Sequence, residues 1–230
     1  MDTALLGLRQ QLQELDNSAD ETVQAEERKL VTVLFVDISG FTALSEKLDP
    51  EEVRALINTC FESLVPIVQK YGGTVDKFIG DEIMALFGAP VAHEDDPERA
   101  LRTALEMMEA IAAFNSVHGT TLNLHMGVNS GPVITGEVGS KRRRDYSVMG
   151  DAVNLAARLE GASTDGEIFV GPNTHRQTMD CLSSKDCRRS ISRARKRRWR
   201  FIACCDGRSA QSRCEASKVY ARLSWAAKET

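Results

Sequence analysis

Two aspartates, Asp37 and Asp81, stand where apolar, strand-like runs meet turns, in LVTVLFVDISGFT (residues 30–42) and VDKFIGDEIMALFG (residues 75–88). Carboxylate oxygens are hard donors matched to Mg²⁺ or Mn²⁺, and two of them with substrate phosphates suit a pair of ions on an in-line phosphoryl transfer. The run 30–36 is apolar and β-branched, and Ser39-Gly40 is a turn opening a helical pattern. Asp37 is therefore expected at the carboxyl end of a strand, beside exposed backbone amides that suit phosphate oxygens. In the second segment apolar runs flank Gly80-Asp81, the pattern of a tight hairpin with the acid at its tip. If the two strands are neighbours, both carboxylates converge. Taken singly, each reads more often as an ordinary turn aspartate.

The segment RRDYSVMGDAVNLAARLEG, ending at Gly161, reads as a strand, a Gly-Asp turn and a helix. Asn154 and Arg158 lie four residues apart, which puts them on one helix face. An amide donor and a guanidinium fork on that face suit an anion that develops during reaction. Val153, Leu155, Ala156 and Leu159 offer the helix an apolar side for packing. The plainer alternative is a solvated arginine and a helix-start asparagine.

The three segments, in this order, resemble the class III nucleotidyl cyclase catalytic domain, the family of adenylyl and guanylyl cyclases, over residues 28–178. The resemblance implies that Asp37 and Asp81 bind two Mg²⁺ or Mn²⁺ ions, with the Ile38 carbonyl as an added ligand. It implies that the loop from Ile38 through Ser39, Gly40 and Phe41 to Thr42 cradles a triphosphate. Lys77 and Ser147 would read the base from the partner subunit of a homodimer, Asn154 would orient the ribose, and Arg158 would stabilise the transition state.

Donors and acceptors then bear on the base. A lysine ammonium only donates, which suits adenine N1, whereas guanine's N1–H and amino group call for an acceptor such as glutamate. Lys77 therefore points to ATP. Ser147 resembles the subgroup of the family with serine or threonine at the second base-reading position, and its hydroxyl accepts from the adenine amine more weakly than a carboxylate would. The implied activity is an adenylate cyclase of intracellular signalling: the ribose 3′-hydroxyl attacks the α-phosphorus, 3′,5′-cyclic AMP forms and pyrophosphate leaves. No motif identifies a dedicated protein base. The alternatives are a catalytically impaired, cyclase-like nucleotide-binding regulator, a guanylyl cyclase, and, less favoured, nucleic-acid binding through a basic tail.

Around these residues the elements fall into a pattern. Residues 50–71 and 95–118 read as long amphipathic helices, Pro97 fitting a first turn and Phe61, Leu64, Leu101, Leu105 and Met108 fitting a core. Strands are expected at 121–127, 133–138 and 167–170. This order predicts an α+β fold, and the resemblance implies a ferredoxin-like sheet with helices packed on one face. GEVGSK (136–141) lacks the ending and spacing of a phosphate loop, and the basic run 141–144 reads as a solvated hairpin tip.

Composition bounds the rest. With 42% apolar residues in 230, the chain can bury one sizeable core, yet its longest apolar runs fall far short of a membrane span and no signal peptide is visible, so a cytoplasmic location is expected. Leu5, Leu8, Leu12 and Leu15 form a short helical seam before an acidic linker, giving an N-terminal segment 1–27 ahead of a catalytic domain 28–178. The net charge of −4 hides an asymmetry: residues 181–230 carry 14 basic and 4 acidic side chains, against 15 and 29 before them. The tail 179–230 also holds five of the six cysteines, in spacings that match no zinc template. It departs from the resemblance, which leads one to expect a closing strand pair with a phosphate-binding lysine. That C-terminal hairpin is expected to be missing or altered, and the tail to be disordered or non-native. Similar regions often precede ATPase or regulatory domains, none of which is read in these 230 residues.

Overall fold

The computed structural model describes residues 27–40, 48–140, 143–182, 200–204 and 220–221. The N-terminal leucine seam, Phe41, Thr42 and most of the basic tail lie outside them. In chain order the elements are β1 (Glu27–Ser39), α1 (Pro50–Lys70), β2 (Thr74–Ile79), β3 (Glu82–Phe87), α2 (Asp96–His118), β4 (Asn123–Ser140), β5 (Arg143–Met149), α3 (Asp151–Ala162), β6 (Glu167–Val170), α4 (Pro172–Leu182), β7 (Arg200–Cys204) and β8 (Tyr220–Ala221).

One sheet organises them, in the order β2-β3-β1-β4-β6-β7-β8, with β5 also paired to β4. β1 is central, antiparallel to both β3 and β4. A strand with both faces covered has no reason to alternate apolar with polar residues, and this explains the continuous run 30–36. Its even positions Leu34, Val36 and Ile38 join a core with Leu64 and Val68 of α1 and Leu101, Ala104 and Met108 of α2. The odd positions Val31, Val33 and Phe35 join a second cluster with Met84, Val133 and Val148 and with Ala152 and Ala156 of α3. The α+β sheet with α1 and α2 on one face is as expected, and α3 is added across part of the other face.

Local sequence explains the helix ends. Pro50 opens α1, and Glu52 Oε2 accepts a hydrogen bond from the Asp49 amide at 3.2 Å. α2 stops where Gly119 turns left-handed at φ 67°. At the far edge β7 runs parallel to β6, and the two-residue β8 pairs antiparallel with β7. Among the described residues the sheet thus closes on the pair β7 and β8. Among the described residues no helix is long and apolar enough to cross a membrane.

Candidate active site

Register places the acids. Asp37 lies opposite Glu82 of β3 on one side and opposite His125 of β4 on the other. Asp81 precedes Glu82 in the β2–β3 turn, where Gly80 takes a left-handed φ of 67°. Because that hairpin is β1's neighbour, Asp37 and Asp81 come to the same end of the sheet. Asp37 stands two residues before the end of β1, slightly deeper than a strand-end position.

Residues not singled out from sequence complete the cluster. His125 Nε2 lies 2.8 Å from Asp37 Oδ2, and its Nδ1 lies 3.0 Å from Glu160 Oε1 on α3. The hydrogen bond to Asp37, reinforced by Glu160, pushes the imidazole up to about 10, so it is a cation at neutral pH. The same hydrogen bond holds Asp37 below the usual carboxylate range. Glu82 is pushed up to about 7, first by burial and then by the charges of Glu160, Asp37 and Asp81. Two carboxylates, Asp37 and Glu160, therefore hold the imidazolium, and Glu82 stands close enough to feel their charge and that of Asp81. Potential ligand atoms of Asp37, His125 and Glu160 lie within 4.8 Å of one another, and the imidazole would join the carboxylates as a ligand only on giving up a proton. Hard oxygen donors with surplus negative charge fit a divalent cation such as Mg²⁺ or Mn²⁺.

This cluster gives the ion-free protein a signed pH dependence. Glu82 and His125 have raised values in the folded chain, so their contribution to stability is full below their ordinary values and is lost as pH rises through about 7 and about 10. Asp37 acts oppositely, its contribution present above its ordinary value and lost as pH falls below it. The ion-free chain should melt lower at about pH 8 than at about pH 6, and Mn²⁺ should raise the melting temperature more at the higher pH. Scanning calorimetry with and without a chelator checks this; equal Mn²⁺ shifts at both values would count against the cluster as a cation site.

The other sequence-derived residues separate into distinct places. Ser39 Oγ donates to Asp165 Oδ1 at 2.5 Å, so its hydroxyl is engaged by the loop before β6. Gly40 follows with φ 102°, a left-handed conformation that favours glycine. The Ile38 side chain is buried in the α1–α2 core. Lys77 is on the edge strand β2 and partly exposed. Ser147 lies on β5, its backbone opposite Gly136. Asn154 and Arg158 share the exposed face of α3, away from buried Ala152, Ala156 and Leu159, and Arg158 Nε donates to the Asn154 carbonyl at 3.2 Å.

The family model described as the adenylate and guanylate cyclase catalytic domain matches residues 23–199. The chain belongs to that family. Adenylate cyclase 1 of Rhizobium meliloti is 39% identical over 142 residues, covering 60% of this chain and 21% of that protein, so the cyclase domain here spans only a fifth of that relative. The crystal structure of an adenylyl cyclase from P. aeruginosa superposes with a TM-score of 0.65 at 37% identity, covering 67% of this chain and 83% of that one. The guanylyl cyclase Cya2 matches with a TM-score of 0.62 at 38% identity, covering 66% and 79%. Cyclases named for either purine thus stand at similar distance from this chain.

Proposed function

We propose that the protein is an adenylate cyclase that converts ATP to 3′,5′-cyclic AMP and pyrophosphate at sites shared between the subunits of a homodimer. The observation that carries this reading is the register that sets Asp37 opposite Glu82 and so brings Asp81 to the same sheet end, inside a cluster rich in negative charge. Asp37 and Asp81, with the Ile38 carbonyl, would hold two Mg²⁺ or Mn²⁺ ions. When bound, such ions acidify the ribose 3′-hydroxyl and neutralise triphosphate charge.

The chain's own groups do the rest. The loop that begins at Ser39 and Gly40 and continues into Phe41 and Thr42 wraps the triphosphate. Lys77 donates to adenine N1, and the Ser147 hydroxyl accepts from the adenine amine. Asn154 orients the ribose, and the Arg158 fork meets charge as it builds on the α-phosphoryl oxygens. The 3′-oxygen forms its bond to the α-phosphorus as the bond to the bridging oxygen breaks, and pyrophosphate carries off that electron pair. Exposed Ile79, Ile134 and Met149 offer apolar surface for a second copy to cover. A cytoplasmic signalling enzyme fits these substrates and ions.

The decisive test incubates purified protein with ATP or GTP and Mn²⁺ or Mg²⁺ and identifies the product by mass. Cyclic AMP as the main product supports the reading; uncyclised nucleotide under every condition defeats it. The departure of the tail's sequence from the family pattern favours one second reading, a nucleotide-binding regulator without turnover, which would bind ATP and form no cyclic product.

Base selection gives a separate prediction. Lys77→Glu combined with Ser147→Cys should lower ATP use by about tenfold or more, because a carboxylate then faces adenine N1, acceptor to acceptor. GTP use should rise relative to ATP. Steady-state rates with each nucleotide check this, and an unchanged ATP-to-GTP ratio would remove Lys77 and Ser147 from base reading.

A further inference from the structure

β2 contains one residue too many. Val75 pairs with Ala85 and Lys77 with Met84, so Asp76 is an extra residue between consecutive partners on β3, a β-bulge. Its effect shows in the facing of the neighbours. Val75 packs against the α1–α2 core, and the Phe78 ring lies 4.8 Å from the Phe61 ring of α1. In a regular strand residues 75 and 78 would face opposite sides, and Lys77 would share Val75's side, against apolar packing. The bulge reverses the alternation after Val75. Lys77 consequently lies in register with Met84, whose side chain belongs to the cluster on the opposite, α3-bearing face.

The bulged residue also touches the lysine. Asp76 Oδ2 lies 3.2 Å from Lys77 Nζ, with the Asp76 side chain only 3% exposed and that of Lys77 45% exposed. A carboxylate withdrawn this far from water needs cationic or hydrogen-bonding partners, and Lys77 is one of them. An ammonium carries three donors, and the contact with Asp76 fixes the direction of one side of the group. Its exposed side is the side from which an acceptor on a ligand would approach.

We propose that Asp76 is a positioning residue for purine selection, turning Lys77 to the α3-bearing face of the sheet through the bulge and holding its ammonium for an acceptor on the base. This rests on the reading of Lys77 as the base-reading lysine given under Proposed function. Asp76 itself touches no substrate. It makes the selectivity of the site depend on a buried carboxylate beside the reader, not on the reader alone.

The test is steady-state kinetics with ATP and GTP on Asp76→Asn, Asp76→Glu, Lys77→Ala and the Asp76→Asn/Lys77→Ala double variant. Asp76→Asn should lower kcat/KM for ATP by roughly tenfold, mainly through KM, with GTP changed less than about twofold. The Mn²⁺ concentration for half-maximal rate should stay at the parent's value, and Asp76→Glu should recover most of the ATP preference. In the Lys77→Ala background, Asp76→Asn should cost less than about twofold, because its effect passes through the lysine. Equal losses for ATP and GTP, or an undiminished loss in that background, would mean a merely structural role and overturn the proposal. If Lys77→Ala keeps the parent's base preference, the reading of Lys77 fails and this inference with it. If Lys77→Ala erases the preference and Asp76→Asn leaves it intact, only the inference fails. Should Asp76→Asn not fold, binding of fluorescent ATP and GTP analogues to Asp76→Ser replaces it: a selective loss of ATP-analogue affinity supports the proposal, and an unchanged preference overturns it.

Discussion

Asp37→Ala and Arg158→Ala chains, each purified alone, should form cyclic nucleotide at least about 100-fold more slowly than the parent, and mixing them should restore roughly a quarter of the parental rate per chain. Asp37 sits in the carboxylate cluster at the sheet end, whereas Arg158 lies on the exposed face of α3. A partner subunit is the natural way to bring a guanidinium on an outward face to a site built around Asp37. In a twofold homodimer each site then takes its acids from one chain and its Asn154 and Arg158 from the other. A mixed dimer holds one intact site and one doubly damaged site, and random exchange makes about half of all dimers mixed. The measurement needs subunit exchange shown independently and circular dichroism that stays native in both variants. Free exchange without recovery, beside an active parent, would sink the shared-site reading.

Gly127→Val should unfold the chain at markedly lower urea, with Gly127→Ala costing about 2 kcal/mol or more and valine costing more still. Gly127 is on β4 beneath α3. A Cβ there would fall inside contact distance of the Ala156 carbonyl oxygen and the Glu160 amide nitrogen, and 2.9 Å from the Glu160 Cα. These are backbone atoms, so no rotamer change relieves the clash and α3 must lift. Lifting breaks the 3.1 Å hydrogen bond from Asn129 Nδ2 to the Ala152 carbonyl and separates Glu160 from His125. Gly161→Ala is the control: nothing lies within 4 Å of its added carbon, and alanine favours a helix. Urea midpoints for the three variants decide. Parental stability in Gly127→Val would mean that α3 does not seat on β4 as described.

Much of this architecture was legible in the chain. Asp37 and Asp81 could be found because strand-then-turn is a local pattern, and Asn154 and Arg158 because helical spacing alone puts them on one face. The helices at 50–71 and 95–118 followed from amphipathic periodicity, and α1 and α2 match them within a residue or two. His125, Glu82 and Glu160 were not legible in the same way. The available signal was slight, a histidine within LNLHMGV and acids beside residues already noted. Each becomes chemical only through a partner distant in sequence: Asp37 and His125 meet because β4 pairs with β1, and Glu160 reaches them because α3 crosses that face.

The sequence by itself determined the local patterns: aspartates where strand-like runs meet turns, a single helix face shared by Asn154 and Arg158, and the alternation of strands and helices, because each is encoded within a dozen residues. Only the tertiary structure decided which way those groups face. An amphipathic helix can seat on either side of a sheet, and α3 takes the side of Gly127 and Gly131, where the absence of side chains lets its backbone approach. Likewise the letters VDKFI do not announce a bulge. Lys77 reaches the α3-bearing face because pairing with β3 keeps Phe78 on the α1 side with Phe61, and the register absorbs Asp76 to allow it. Side-chain direction in a strand depends on register, and register is a property of two strands, so it is absent from either one alone.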